Sequence, residues 1–441
     1  MRILFKFIII LVLLAALAYA GRPHLALYLY NQGLEYYDEG SYDKAIDSFR
    51  KSLKVNNEES AVNYALASAY LENKMMPEAI DEYKLTIQKD PAYCDAYCDL
   101  AQLYINEGLT KSAINLLKEA ELKLGSNRRI KRLASNTRTI YTGDRLNSAA
   151  DLFLAGAKPQ AYKLLDEVLK IRPDFAQARY CLAYFYFSDN NYDKAIAQLK
   201  DLIEIDPEFL EAYKLLGDIY FEEGKYTGAI DIYSSALPLD YNNATIHNNL
   251  GLAYMHMERY REAAEHLEKS LSLNPDNIDI HYNLASVYRD RGLLDKSISE
   301  YERLFEYIPD YPRAHNNLAD IYDAQERYEE AAAEYEKEKE YSLEKLSSDP
   351  DDSFLLTNLA HAYDGIGEYA QAKETISRAI ELRPENREAY VTLARIEESL
   401  GDHEASLAAL EKARSLYARS EFMDKDILRL KEALSSERGG R

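Results

Sequence analysis

Residues 244–277 read ATIHNNLGLAYMHMERYREAAEHLEKSLSLNPDN, and residues 278–311 read IDIHYNLASVYRDRGLLDKSISEYERLFEYIPDY. Set one above the other, the two 34-residue lines place Asn249 over Asn283, Tyr254 over Tyr288, Ala263 over Ser297 and Pro275 over Pro309. A fixed period of this size marks a repeat array, in which each unit buries its apolar face against its neighbours.

The rhythm extends outward in both directions. Tyrosine recurs at Tyr36, Tyr70, Tyr104, Tyr186, Tyr220, Tyr254, Tyr288 and Tyr322. Three places before each stands Ala or Gly (Gly33, Ala67, Ala101, Ala183, Gly217, Gly251, Ala285, Ala319), and nine places after each a second small residue, such as Ala45, Ala79, Ala229 or Ser297. Two helices approach closely only where side chains are short and a bulky group fills the gap beside them. Gly40, Gly108, Gly156, Gly224, Gly292, Gly367 and Gly401 punctuate the middle of the units, and Pro91, Pro173, Pro207, Pro275, Pro309 and Pro384 close them, as helix-turn-helix units require.

On these residues the chain resembles the tetratricopeptide repeat family. The resemblance implies an all-α fold, a right-handed superhelical solenoid of helix-turn-helix units. Eleven units start at Ala26, Ser60, Cys94, Thr142, Ala176, Leu210, Ala244, Ile278, Pro312, Ser353 and Arg387. Residues 26–127 hold repeats one to three, and 142–420 hold repeats four to eleven. The apolar spacing of Phe422, Met423, Ile427, Leu428, Leu430 and Leu434 predicts a capping helix over 421–437.

Two lapses break the period. Tyr104 to Leu152 is 48 residues, 34 plus 14, and Tyr322 to Tyr363 is 41, 34 plus 7. At about 3.6 residues per turn these additions are close to whole helical turns, so they predict added helix. The first gives an inserted basic helix over 128–141, carrying Arg128, Arg129, Lys131 and Arg132. The second gives an extended second helix in repeat nine, over about 329–348, with Glu334, Glu336, Lys337, Glu338, Lys339, Glu340, Glu344 and Lys345 expected on a solvated surface.

A net charge of −22 opposes nonspecific nucleic-acid binding. Residues 1–20 carry Arg2 and Lys6 before an apolar run from Phe7 to Ala20. That pattern is either a signal peptide cleaved after Ala20 or an uncleaved transmembrane anchor. Either way the repeats are expected outside the cytoplasm, in the cell envelope or secreted. Cys94, Cys98 and Cys181 form no disulfide framework and no metal set and are expected as small helix residues.

In the resembled family the first helices line the concave face, and their sixth positions point into it. Asn249, Asn283, Asn317 and Asn358 occupy that position in four consecutive units. An amide donates and accepts, so the row either pairs with the backbone of an extended peptide or satisfies the scaffold itself. The row resembles the lumen of O-linked N-acetylglucosamine transferase repeats. Tyr180, Tyr184, Phe187 and Phe221 offer an aromatic stretch for apolar side chains of a partner, or pack on adjacent repeats. Thr245, Asn248, Tyr282 and His256 stand where a carboxylate clamp needs basic residues, so a chaperone-tail adaptor is not expected. His247, His281 and His315 recur at the fourth position, a packing site in the family. The basic cluster suits an anionic lipid, polymer or subunit, or is a solvated face.

No phosphate-binding loop, nucleophile elbow or zinc-protease motif is present. The expectation is a non-catalytic scaffold for protein or peptide partners, with no cofactor, no nucleic acid and no small-molecule substrate, and contact with membrane through residues 1–20 if they are not cleaved. The alternatives are an assembly factor for envelope polysaccharide or secretion machinery, and a non-catalytic subunit of an enzyme complex.

Overall fold

The computed structural model describes residues 22–416 and 421–439. It is all-α, and the helices pair into hairpins. In the first compact unit, residues 1–182, the hairpins are α1 (22–38) with α2 (Tyr42–Val55), α3 (Ser60–Glu72) with α4 (Met76–Lys89), α5 (Cys94–Asn106) with α6 (Thr110–Leu124), and α7 (Arg128–Leu154) with α8 (Lys158–Ile171). The division from the second unit, residues 183–441, falls inside α9 (Ala176–Ser188). The second unit continues with α10 (Tyr192–Ile205), α11 (Leu210–Glu222), α12 (Tyr226–Ala236), α13 (Ala244–His256), α14 (Tyr260–Leu273), α15 (Ile278–Asp290) and α16 (Leu294–Tyr307). It ends with α17 (Ala314–Ala324), α18 (Tyr328–Leu346), α19 (Ser353–Gly365), α20 (Tyr369–Leu382), α21 (Arg387–Ser399), α22 (His403–Ser415) and α23 (Glu421–Gly439). The residues of the expected signal or anchor, 1–20, lie outside the described ones. Among the described residues no helix is long and apolar enough to cross a membrane.

One turn is repeated in every hairpin. Numbering each repeat from its first residue, the fifteenth residue has φ between 55 and 82°, in the left-handed region. The sixteenth N–H donates to the eleventh carbonyl at 2.8–2.9 Å, as in Ser41 to Tyr36 and Lys225 to Tyr220, and the fifteenth N–H donates to the twelfth carbonyl. These two bonds satisfy carbonyls that the helix end leaves open. The recurrent tyrosine therefore supplies its backbone oxygen, which explains why Leu152 and Glu397 can replace it: Ala157 donates to Leu152 and Asp402 to Glu397 at 2.8 Å. Seven repeats have the anticipated glycine in the left-handed place, while Lys74, Asn190, Glu258 and Glu326 adopt the same backbone with a side chain.

The core lies between the two helices of each hairpin. The twenty-fourth residue is Phe49, Tyr83, Leu117, Leu165, Leu199, Tyr233, Leu267, Tyr301, Tyr335, Ile376 or Leu410, and all are buried. It sits against the small residue at the eighth place: a Cβ added to Gly217 would lie 2.3 Å from the Tyr233 ring, and one on Gly251 2.6 Å from Leu267.

The two lapses take different forms. Residues 128–141 are not a separate helix, because α7 runs unbroken for 27 residues into the first helix of repeat four. The only glycine inside it, Gly143, has space around it and does not break the helix, and Ile130, Ala134, Thr137 and Tyr141 keep one buried stripe in phase. The Asn127 side chain caps its start by accepting from the N–H groups of Arg129 and Ile130 at 3.0 and 3.1 Å. In repeat nine, α18 is 19 residues long, but its charged surface is not all solvated. Glu338 is fully buried at the place where other repeats carry Ser, Thr, Ala, Val or Leu, and the Ser342 hydroxyl donates to it at 3.3 Å. Burial pushes its carboxyl up. The partner helix α17 starts two residues late, at Ala314, after Pro312 and after Arg313 at φ 67°. At the far end Met423, Ile427 and Leu430 of α23 are buried with Ala409, Leu410 and Ala413 of α22, whereas Leu428 is exposed.

Gly217→Ala is expected to lower stability by about 1 kcal/mol in urea denaturation. The helix-propensity gain of about 1 kcal/mol is outweighed by roughly 2 kcal/mol of overpacking, because the Tyr233 ring is held by its hydroxyl bond to Asp218 and cannot swing away. Glu258→Gly acts in the opposite direction. Relief of about 1–2 kcal/mol of left-handed strain exceeds about 0.5–1 kcal/mol of backbone entropy, so the urea midpoint should rise.

Candidate functional site

In the second unit successive first helices touch one another (α11 with α13, α13 with α15, α15 with α17, α17 with α19, α19 with α21). That closeness makes the first-helix face the inner side of the stack there. Its residues come from the second, fifth, sixth, ninth and twelfth places of each repeat.

The four asparagines of the sixth place do not form a uniform row of open amides. Asn249 donates to Asp218 at 3.0 Å and to the Tyr233 hydroxyl at 3.3 Å, both in the preceding repeat. Asn317 is buried and donates to the Tyr282 hydroxyl at 3.1 Å. Asn358 is buried, with its backbone carbonyl accepting from the Asn316 side chain at 2.9 Å and its own amide nitrogen unpartnered. Asn283 is half-buried, and among the described residues its side chain has no hydrogen-bond partner. The reason lies one repeat earlier. Asn249 follows a repeat that has Tyr233 in its core and Asp218 at its ninth place, whereas the repeat before Asn283 has Leu267 and Leu252 there, which offer no acceptor. Asn248, Tyr282, Asn283 and Ser286 are all half-buried.

The buried core tyrosines reach this face. Tyr233 donates to Asp218 at 2.6 Å, Tyr335 donates to Asp320 at 2.6 Å, and the Tyr301 hydroxyl lies 3.3 Å from that of Ser286. Burial raises the Asp218 carboxyl above its ordinary range despite the bonds from Tyr233 and Asn249.

Further along, the inner face is occupied by its own charges. The ninth places of repeats nine, ten and eleven are Asp320, His361 and Arg395. Arg395 Nη1 donates to Asp320 at 2.6 Å, its Nε to Asp364 at 3.0 Å and its Nη2 to the Tyr335 hydroxyl at 2.9 Å, while His361 Nε2 lies 3.1 Å from Asp320. A second strap joins the second places of repeats nine and eleven, Arg313 to Glu388 at 2.6 Å. Burial alone would raise the Asp320 carboxyl, but His361 and Arg395 outweigh it and hold it below the usual carboxylate range. Burial, then Arg395, pushes His361 down, which favours the neutral ring. Asp320, His361, Asp364 and Arg313 are expected on the concave face from their repeat positions, but their pairing with Arg395 and Glu388 is not. The sequence signal is the column Asp320, His361, Arg395, in which unlike charges stand at one repeat position.

The aromatic candidates fall into three settings. Tyr180 is half-buried in the first unit. In the second, Tyr184 is 47% exposed, with Phe187 6.4 Å away, and Phe187 stacks on Tyr192 at 5.9 Å. Phe221 meets Tyr226 and His256 edge-on at 5.3 and 5.2 Å. The histidine column is interior: His281 pairs with Glu300 and His315 with Glu334 at 2.6 Å, and His247 lies 3.0 Å from His266. Among the described residues no three His, Cys, Asp or Glu are grouped to hold a metal.

In the first unit Arg128, Arg129, Lys131 and Arg132 are exposed on the first turns of α7 and line one open concavity of about 750 Å³. Arg129 bonds Asp95 of α5 and lies 3.7 Å from Asp99.

The tetratricopeptide repeat family models match residues 30–93, 95–121, 152–219, 217–258, 244–277, 266–299, 297–344 and 357–421. Among solved structures, yeast Tom70 is 17% identical over 95% of this chain and 97% of its own, with a TM-score of 0.41. A tetratricopeptide repeat protein from Parabacteroides merdae is 20% identical over 58% of this chain and 98% of its own, with a TM-score of 0.47. YrrB, described as having an unusual peptide-binding site, is 18% identical over 51% of this chain and 95% of its own, with a TM-score of 0.31. Likenesses this loose carry no argument about the site. No curated protein matches the chain.

Removing Arg395 leaves Asp320 and Asp364 facing each other without their cation. Arg395→Ala should cost about 3 kcal/mol, the low end for a broken buried pair, because Arg395 keeps 35% exposure. A depressed carboxyl contributes stability above its unfolded pKa and loses it as pH falls. Below about pH 4 the urea midpoint of the native chain should therefore fall more steeply than that of Asp320→Asn. Parallel slopes would show that the Asp320 carboxyl is not held down.

Proposed function

The chain belongs to the tetratricopeptide repeat family, and from that premise we propose that it is a non-catalytic scaffold. Its inner face in repeats seven and eight takes an extended segment of a partner protein. The observation that carries this reading is the Asn283 side chain, half-exposed between Tyr282 and Ser286 with both its donor and its acceptor uncommitted. The equivalent amides on either side are held by the scaffold. A free amide there can pair with the backbone of a bound strand, and a stacked array presents it without ordering entropy on the scaffold side. Asn317 and Asn358 contribute to the shape of this face rather than to partner contact.

The scaffold is further proposed to act outside the cytoplasm, exported or held at the membrane by residues 1–20. The support is the sequence of that segment, Arg2 and Lys6 followed by the apolar run to Ala20.

A photo-crosslinking residue at position 283 is expected to capture a partner peptide in the native compartment, while one at Glu265, exposed on the second helix α14, captures none. Equal capture at both positions, or none at 283, would sink the inner-face reading. Amino-terminal sequencing tests the other half: a mature chain that keeps Met1 and fractionates with cytoplasm would rule out export.

A further inference from the structure

We propose that the basic concavity at the start of α7 is a second docking site, specific for an acidic peptide segment of a protein partner. It lies in the first unit and stands whether or not the inner face of repeats seven and eight binds a strand.

Arg128, Arg129, Lys131 and Arg132 put four cations within five residues, in a chain where Asp and Glu outnumber Lys and Arg by 75 to 53. The cations belong to the 14-residue addition that lengthens α7, so the departure from the repeat period and the departure from the charge balance coincide. They are also placed where their charges add. Residues 128, 131 and 132 are one turn apart on one side of the helix, at its amino-terminal end, where the helix dipole is itself positive. Arg129 is turned to Asp95 and Asp99 of α5. Among the described residues the other three are in no ion pair.

The shape selects among anions. The four side chains line an open concavity of about 750 Å³, room enough for a narrow chain with projecting carboxylates. Asp95 and Asp99 stand at its edge and would face the headgroups of an anionic membrane pressed against it. A long polyphosphate or nucleic acid runs past the site into a protein surface of net charge −22. A short stretch of Glu or Asp pairs with Arg128, Lys131 and Arg132 and ends before that repulsion begins.

The test uses the full chain in non-ionic detergent, a fluorescent octaglutamate peptide read by anisotropy, and vesicles containing phosphatidylserine. Three proteins are compared: the native chain, the triple variant Arg128→Glu, Lys131→Glu, Arg132→Glu, and the charge-preserving pair Arg128→Lys, Arg132→Lys. Helical circular dichroism and melting should be unchanged in all three, because the altered side chains are exposed. Octaglutamate should bind the native chain and the Lys pair alike. Its affinity should fall roughly tenfold or more in the triple variant, as expected for the loss of three exposed ion pairs, and fall again on raising the salt. Absence of octaglutamate binding to the native chain, equal binding by the triple variant, or vesicle binding that depends on the three cations while the peptide does not bind, would each overturn the proposal.

Discussion

Everything in this protein depends on one backbone hydrogen bond, the sixteenth N–H of each repeat donating to the eleventh carbonyl. It closes the first helix, holds the residue before its donor in the left-handed region and sends the second helix back along the first. The antiparallel approach then brings the eighth place against the twenty-fourth, and the core follows. Side chains are secondary to this bond. Leu152 and Glu397 make it as well as nine tyrosines do, and Lys74, Asn190, Glu258 and Glu326 hold its strained partner position without being glycine. Each of those four places a Cβ where the backbone disfavours one, at about 1 kcal/mol, and the packing on either side is strong enough to keep the turn.

The repeat itself was fully legible in the sequence, because small residues and turn glycines recur at fixed places. The core ring was not, since the twenty-fourth place accepts Phe, Tyr, Leu or Ile and shows no single letter to follow. Spacing also told where the added turns enter but not whether the chain breaks between them and the next repeat. Nothing from Arg128 to Leu154 is a proline, and Gly143 alone is too weak a breaker. The asparagine row shows a different limit. Position gives a side chain's direction, but whether its amide is already engaged depends on residues about 16–31 positions earlier, Tyr233 and Asp218 for Asn249. Glu338 was assigned to the surface because its neighbours in sequence are charged. It is buried because the delayed start of α17 leaves helix amides uncovered, and a negative group at a helix start is favourable.

The last three repeats use charge where the earlier ones use packing. Arg395 and Arg313 each reach a carboxylate two repeats back or ahead, Asp320 and Glu388, so repeats nine and eleven are joined directly as well as through repeat ten. In an ordinary solenoid each repeat senses only its neighbours, and stability is close to a sum of nearest-neighbour terms. Contacts that skip a repeat add a longer-range term and make this end of the array more cooperative than the rest.

The hydroxyl of Tyr233 lies on the inner face while its ring fills the core. A scaffold changes partners over generations by exchanging inner-face residues one at a time, and that route is obstructed wherever such a residue also satisfies a core group. Replacing Asp218 or Asn249 would remove one of the partners of the Tyr233 hydroxyl, and replacing Asp320 would remove one of those of Tyr335, so those repeats inherit their surface along with their interior. Repeat eight carries no such debt at Asn283. Its exchange would leave the hydrogen bonds of the core tyrosines untouched.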